Sequence, residues 1–215
     1  MALAKLARLA AERGLEGLEA LSGFPSTVGG AVRMNAGSYG VEIKDVLVET
    51  CVVDRDGRSR CLTVQELEPS YRRTILQGSG SVVVSAMFQL QEGSAEKALG
   101  RIEELNRRRW ASLPSGRPNV GSIFKNPEGE YAGRLIEACG LKGSCCGDAQ
   151  ISPRHANVIV NNGQAKAWQV LELMLTVRQA VDDRFGVQLV PEVELLGSLR
   201  NRWQEALDQA SEGSR

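Results

Sequence analysis

At 215 residues and 23.3 kDa the chain suits one large domain or two small ones, and it can bury a core without disulfide staples. An apolar fraction of 42% and a charged fraction of 24% exclude a disordered or fibrous class. Basic and acidic residues balance at 26 each and only 5% of residues are aromatic, which argues against a nucleic-acid partner.

The chain opens with an apolar helical pattern over 2–13, with Leu3, Leu6, Ala7 and Ala10 on one face. Lys5, Arg8 and Arg13 interrupt it, so it is no signal peptide, and no apolar run is long enough to span a membrane. Residues 23–40, GFPSTVGGAVRMNAGSYG, are loop-rich, with a short helix near 28–34. Strands follow at 45–54 and 58–64, joined by a turn at Asp56-Gly57, and again at 81–90. A helix over 94–112 starts at Ser94 and ends in a basic run, Arg107–Arg109, which reads as a solvated helix end. Residues 113–121 hold two prolines and two glycines and mark a boundary. Beyond them the sequence predicts a strand at SIFKN, a short helix over 130–140, a buried strand over 155–161 and a long helix over 165–186 stopped by Gly186. A last strand is expected over 187–197, demoted to an edge or bulge by Pro191, and then a polar helical tail. The mix is α+β.

Five cysteines, Cys51, Cys61, Cys139, Cys145 and Cys146, are an odd number without repeated CxxC spacing. They read as reduced thiols of a cytoplasmic protein, with neither a disulfide framework nor a metal site. The glycine loop is neither GxGxxG nor GxxxxGK[ST]. Its glycines admit close backbone approach to a flat or anionic ligand, and alone they read equally well as a structural turn. In GSIFKNP (121–127), Ser122 stands beside Lys125 and Asn126. A serine so flanked can donate a proton to a carbanion, or the segment is a polar loop. Arg72 in SYRRT can neutralise a carboxylate, and Glu192 sits beside a strand proline; either also suits a surface ion pair. His155, the one histidine, reads as structural, and no Ser-His-Asp set can be assembled around it.

Together GLEGLEALSGFPSTVGGAVRMNAGSYG (14–40), YRRT (71–74), GSIFKNP (121–127), AGRLIEACGLKG (132–143), AQISPRHANVIVN (149–161) and FGVQLVPEVELLG (185–197) resemble the UDP-N-acetylenolpyruvoylglucosamine reductase family, in its second subtype. The resemblance implies part of an FAD-binding domain of the vanillyl-alcohol-oxidase type over 1–112. A C-terminal α/β substrate-binding domain over 113–197 and a helical tail over 198–215 follow. It implies FAD and NADPH as cofactors and UDP-N-acetylglucosamine enolpyruvate as substrate. It makes Ser122 the proton donor, and Arg72 and Glu192 the pair that stabilises the enolate. Gly23, Pro25, Ser26, Thr27, Gly29, Gly30, Asn35, Ala36, Gly37 and Gly40 would contact FAD. Lys125, Asn126 and Lys142 would contact the substrate's phosphate or sugar.

The sequence also departs from the family pattern. The glycine loop begins near the start of the chain, where family members carry a further subdomain that holds the FAD diphosphate. The expectation is a peptidoglycan-pathway reductase read from a truncated chain, for which the missing subdomain in trans is a candidate partner, or a chain without catalysis that keeps a UDP-sugar site. Another flavin oxidase of the superfamily is the third reading, and GSIFKNP and Glu192 speak against it. Pro69-Ser70, Thr74, Ser26 and Cys145-Cys146 are milder departures.

Overall fold

The computed structural model describes residues 1–114 and 116–212, and they divide into two compact units, Met1–Arg109 and Trp110–Arg215. Among the described residues no helix is long and apolar enough to cross a membrane.

The first unit starts with α1 (Leu3–Glu12), whose Leu3, Ala7, Ala10 and Ala11 are buried at helical spacing. A two-residue strand β1 (Leu15–Glu16) follows, and then α2 (Val28–Arg33). Thr27 caps α2 by accepting the Gly30 amide at 3.1 Å. Next come β2 (Gly37–Ser38) and β3 (Val41–Glu42), an antiparallel pair. β4 (Leu47–Val53) is the middle of a three-stranded antiparallel sheet between β5 (Ser59–Thr63) and β6 (Val82–Phe88). Strand β4 begins two residues later than the alternation predicted, because Ile43–Asp45 form a 3₁₀ turn. Along β4 the inward residues Leu47, Thr50 and Val52 are buried, and the Thr50 hydroxyl donates to the Ser85 carbonyl at 2.7 Å. β7 (Gln91–Glu92) pairs with β1. Leu3, Leu21, Val32, Ile43 and Leu76 belong to the core of this unit.

Two expectations fail in this unit. Cys51 and Cys61 form a disulfide rather than free thiols. The β4–β5 register sets them directly opposite, with Cα atoms 3.9 Å apart. The basic run at the end of α3 (Ala95–Ser112) is not uniformly solvated: Arg108 pairs with Glu104, but Arg109 is half-buried over the Phe24 ring. Burial pushes its pKa below the ordinary arginine value.

The second unit is built on an antiparallel sheet in the order β8 (Asn119–Ser122), β11 (Val158–Asn161), β10 (Ala149–Ile151), β9 (Cys145–Cys146). Val158, Ile159 and Val160 of β11 are all buried, as befits a strand with neighbours on both sides. α5 (Ala167–Phe185) covers the sheet through Leu171, Met174, Val177 and Val181, and ends at Gly186 in the left-handed region. α4 (Ala132–Ala138) adds Ala132, Leu135 and Ile136 to the same core. The polar tail helix α6 (Ser198–Glu212) gives that core Trp203.

No strand forms over 187–197, although its residues alternate. Pro191 lacks the amide that a ladder needs. The segment keeps one isolated bridge, Phe124 to Pro191, and three amide contacts. Lys125 N–H donates to Val190 O at 2.9 Å, and the Glu192 and Val193 amides both donate to Ile123 O. SIFKN likewise leaves the ladder at Ser122, because Asn157 takes over its hydrogen bonds.

Candidate functional site

The GSIFKNP segment is held from both sides. On one side, Ile123 N–H donates to the Asn157 carbonyl at 3.0 Å. The Asn157 side chain then acts as a miniature strand: its oxygen accepts the Phe124 amide at 3.0 Å and its amide donates to the Phe124 carbonyl at 2.8 Å. Asn157 is buried, so these bonds are sheltered from water. On the other side, Glu192 N–H donates to Ile123 O at 2.8 Å. Ser122 and Glu192 are thus fixed to one short stretch of backbone.

Ser122 opens onto a cavity of about 400 Å³ within the second unit. Asn126 and Lys142 line the same cavity, so three predicted residues converge there. The Asn126 side chain also accepts the Ala132 amide at 3.1 Å, which seats the start of α4. Lys125 and Glu192 are not among the lining residues, although Lys125 lies on the braced segment and the Glu192 amide is bound to it.

The lining also includes residues for which the sequence suggested no ligand role: Tyr131, Arg134, Glu137, Arg154 and His155. Arg134 is bound to Glu130, whose carboxyl is held down to about 2 by the Arg134 guanidinium and then by the Tyr131 amide. Lys142 is paired with Glu137 at 2.7 Å. Arg154 is exposed and, among the described residues, brings its charge to the wall without a carboxylate partner. His155 Nδ1 accepts the Asn157 amide at 3.3 Å, so the ring is structural and lines the cavity at once. Gly133 helps to open the wall: a Cβ there would touch His155 Cε1. The signal available in the sequence was Gly133 itself, since glycine inside a helix is costly without a reason. The wall thus holds three cations, a histidine and the carboxylate of Glu137; with Arg134 and Lys142 already paired, Arg154 is the cation that suits it best to an anionic ligand.

In the first unit the glycine segment surrounds α2. Pro25, Thr27, Gly30 and Gly40 are exposed, and Ser26 is half-buried with its hydroxyl on the Thr27 carbonyl. Gly29 rests on the Val83 side chain. A Cβ on Gly23 would lie 2.7 Å from Asn106 Oδ1, so that glycine serves internal packing. Ala36 is tied into the backbone through Ala31 O and Ile43 N–H. Asn35 is buried, and Gly37 packs under Glu42 and Arg72. Between Glu19 and Glu42 the chain has no acidic side chain and one cation, Arg33. A glycine-rich exposed segment with no acidic residue of its own between Glu19 and Glu42 is compatible with an anionic dinucleotide such as FAD.

Arg72, also in the first unit, sits at the tip of a turn closed by reciprocal hydrogen bonds between Ser70 and Arg73. Its φ of 56° is left-handed, and its guanidinium stacks over the Tyr71 ring at 4.8 Å.

Residues 113–196 match the family model described as the C-terminal domain of UDP-N-acetylenolpyruvoylglucosamine reductase, and residues 2–62 match an FAD binding domain. The chain is 46% identical over 195 residues to a UDP-N-acetylenolpyruvoylglucosamine reductase of Agathobacter rectalis, covering 91% of this chain and 62% of the relative. It is 47% identical over 201 residues to UDP-N-acetylenolpyruvoylglucosamine reductase 2 of Symbiobacterium thermophilum, covering 94% of this chain and 65% of the relative. The chain therefore spans less than two thirds of the length of these curated relatives. A crystal structure of UDP-N-acetylenolpyruvylglucosamine reductase from Thermus caldophilus superposes with a TM-score of 0.80 at 41% identity, over 92% of this chain and 70% of that one.

Proposed function

The chain belongs to the UDP-N-acetylenolpyruvoylglucosamine reductase family, and on that premise we propose that it serves the FAD-dependent, NADPH-driven reduction of UDP-N-acetylglucosamine enolpyruvate. The product is UDP-N-acetylmuramate, a peptidoglycan precursor made in the cytoplasm. FAD, when bound, supplies to the methylene carbon of the enolpyruvyl double bond a hydride drawn from NADPH. Arg72 pairs with the substrate carboxylate, on which negative charge builds. Glu192 is the second member of that charge-stabilising pair. Ser122 Oγ–H gives its proton to the carbon beside the carboxylate and is reprotonated from solvent. Lys142, Asn126 and Arg154 hold the diphosphate and sugar, with Lys125 beside them on the braced segment. Pro25, Ser26, Thr27, Gly29 and Gly30 face the FAD diphosphate. The further FAD subdomain typical of the family completes that grip, in cis or in trans.

The observation that carries this reading is the bracing of GSIFKNP. Ser122 borders a cavity that Arg134, Lys142 and Arg154 also line, while the carbonyl of the next residue anchors the Glu192 amide. The test is the visible spectrum of the purified chain after FAD is added and the excess removed, followed by NADPH and substrate. A retained flavin band, bleached by NADPH and restored by the enolpyruvyl substrate, is the expected result. A colourless chain that still binds UDP-N-acetylglucosamine in a calorimeter would mean a UDP-sugar-binding protein without reductase activity of its own.

A further inference from the structure

Arg72 is not simply an exposed cation. Its side chain is 18% exposed, and its Nη2 donates to the Gly37 carbonyl at 2.8 Å. Its Nη1 lies 3.9 Å from Glu42 Oε1. Glu42 in turn is gripped three times. Its Oε2 accepts from the buried Asn35 side chain at 3.0 Å and pairs with Lys44 Nζ at 2.7 Å, and its own amide donates to Asp45 Oδ2 at 2.8 Å. Lys44 is held above its ordinary pKa by that contact with Glu42. Asn35 closes the frame: its oxygen accepts the Lys44 amide and its amide also donates to Ser70 O, the residue that begins the Arg72 turn. Gly37 has no room for a side chain, because a Cβ would lie 2.8 Å from Glu42 Cγ and 3.1 Å from Arg72 Nη1.

We infer that Glu42 is the positioning residue of Arg72, with Asn35 and Gly37 as its supports rather than flavin contacts. The inference rests on the reading of Arg72 as the cation that meets the substrate carboxylate. A guanidinium already anchored on a carbonyl and a carboxylate presents a fixed edge to its ligand, so less side-chain freedom is lost on binding. The left-handed φ of Arg72, uncommon for a side-chain-bearing residue, is tolerated because the frame over-determines it.

The test uses the full chain labelled with ¹⁵N. The Arg72 side-chain signals, assigned by their loss in Arg72→Lys, are expected to be resolved and slowly rotating. In Glu42→Gln they should move to the averaged position of exposed arginines, while backbone amides outside the 35–44 and 70–77 segments stay in place. Gly37→Ala should do the same by crowding the guanidinium, and it keeps the proposal open to test if Glu42→Gln disturbs the 43–45 turn. Unchanged Arg72 signals in both variants would overturn the proposal. A calorimetric comparison of UDP-N-acetylglucosamine enolpyruvate with UDP-N-acetylglucosamine tests the underlying reading separately. Glu42→Gln should weaken only the carboxylate-bearing ligand, by about tenfold, the size of one charge-assisted hydrogen bond. It should add nothing further on an Arg72→Lys background. An Arg72→Lys chain that keeps full preference for the carboxylate would sink the reading of Arg72. An Arg72-dependent preference that Glu42→Gln leaves intact would sink the role of Glu42 alone.

Discussion

Ser122 is exposed, yet the two residues just after it are held by the Asn157 side chain and backbone and by the Glu192 amide. That combination lets a hydroxyl face ligand without wandering. Ser122→Ala should therefore remove the proton donor and leave the fold alone. In an FAD-loaded protein, NADPH should still bleach the flavin, while product formation falls about 10²- to 10⁴-fold. Stopped-flow traces of the two half-reactions measure both, and product formation near the original rate would move the donor elsewhere. Glu192→Gln should split the half-reactions in the same way, since its amide anchor to Ile123 O involves the backbone and survives the change. At this scale the sequence is legible where function is local. Ser122, Asn126 and Lys142 are readable from short motifs and do meet at one cavity. Arg154 was hidden, and His155 was read as structural alone, because both join the wall only through the fold, by way of the turn after β10. The internal hydrogen bonding of Asn35 was hidden for a related reason. A polar residue in a glycine-rich loop looks like a ligand contact, and only the structure reveals that Glu42, Lys44 and Ser70 consume its side chain.

Elements divide into those set by periodicity and those set by pairing. α1 and α5 follow the apolar repeat closely, and the stop of α5 at Gly186 follows from the glycine. The 187–197 segment alternates like a strand, but Pro191 has no amide to give, and the segment keeps only an isolated bridge and single contacts with Ile123 and Lys125. The Cys51–Cys61 bond was also a matter of pairing. Both cysteines are equidistant from Asp56, so a turn centred there places them face to face. A disulfide that closes so short a hairpin should contribute about 2–3 kcal/mol, mainly by restricting the unfolded chain. Urea unfolding with and without reductant measures it, with Cys51→Ser as the control that should no longer respond. A second element-scale prediction concerns the entry to α4. Glu130 is held down to about 2 by Arg134 and the Tyr131 amide, against an ordinary 4.5. Its folded pKa is depressed, so its contribution to stability is complete above the ordinary carboxylate range and is lost as pH falls toward 2. Glu130→Gln should flatten the stability profile between about pH 5 and about pH 2, the window set by linkage, and leave it unchanged near neutrality. A profile with the same acid slope in both proteins would show that the pair contributes nothing.

For the whole molecule, the telling fact is that each unit has its own core. Leu3, Leu21, Val32 and Ile43 close the first, and Phe124, Ile151, Leu171 and Met174 close the second. The units divide at Arg109–Trp110, inside α3, a few residues ahead of the proline- and glycine-rich stretch that the sequence marks at 113–121. Separate cores permit separate stabilities, and stability in proteins is commonly distributed in such cooperative blocks. Leu171 is fully buried on the inner face of α5, where its removal leaves a cavity among Met174, Ile151 and their neighbours. Leu171→Ala should cost the second unit about 2–5 kcal/mol. Native-state hydrogen exchange reads this block by block. The slow amides of β10, β11 and α5 should lose protection by that amount, while those of β4 and β6 in the first unit keep theirs. Equal losses in both units would mean that the chain unfolds as one cooperative body. In that event the glycine segment with Arg72 and the cavity with Ser122 would share a single stability, and damage to either would reach the other.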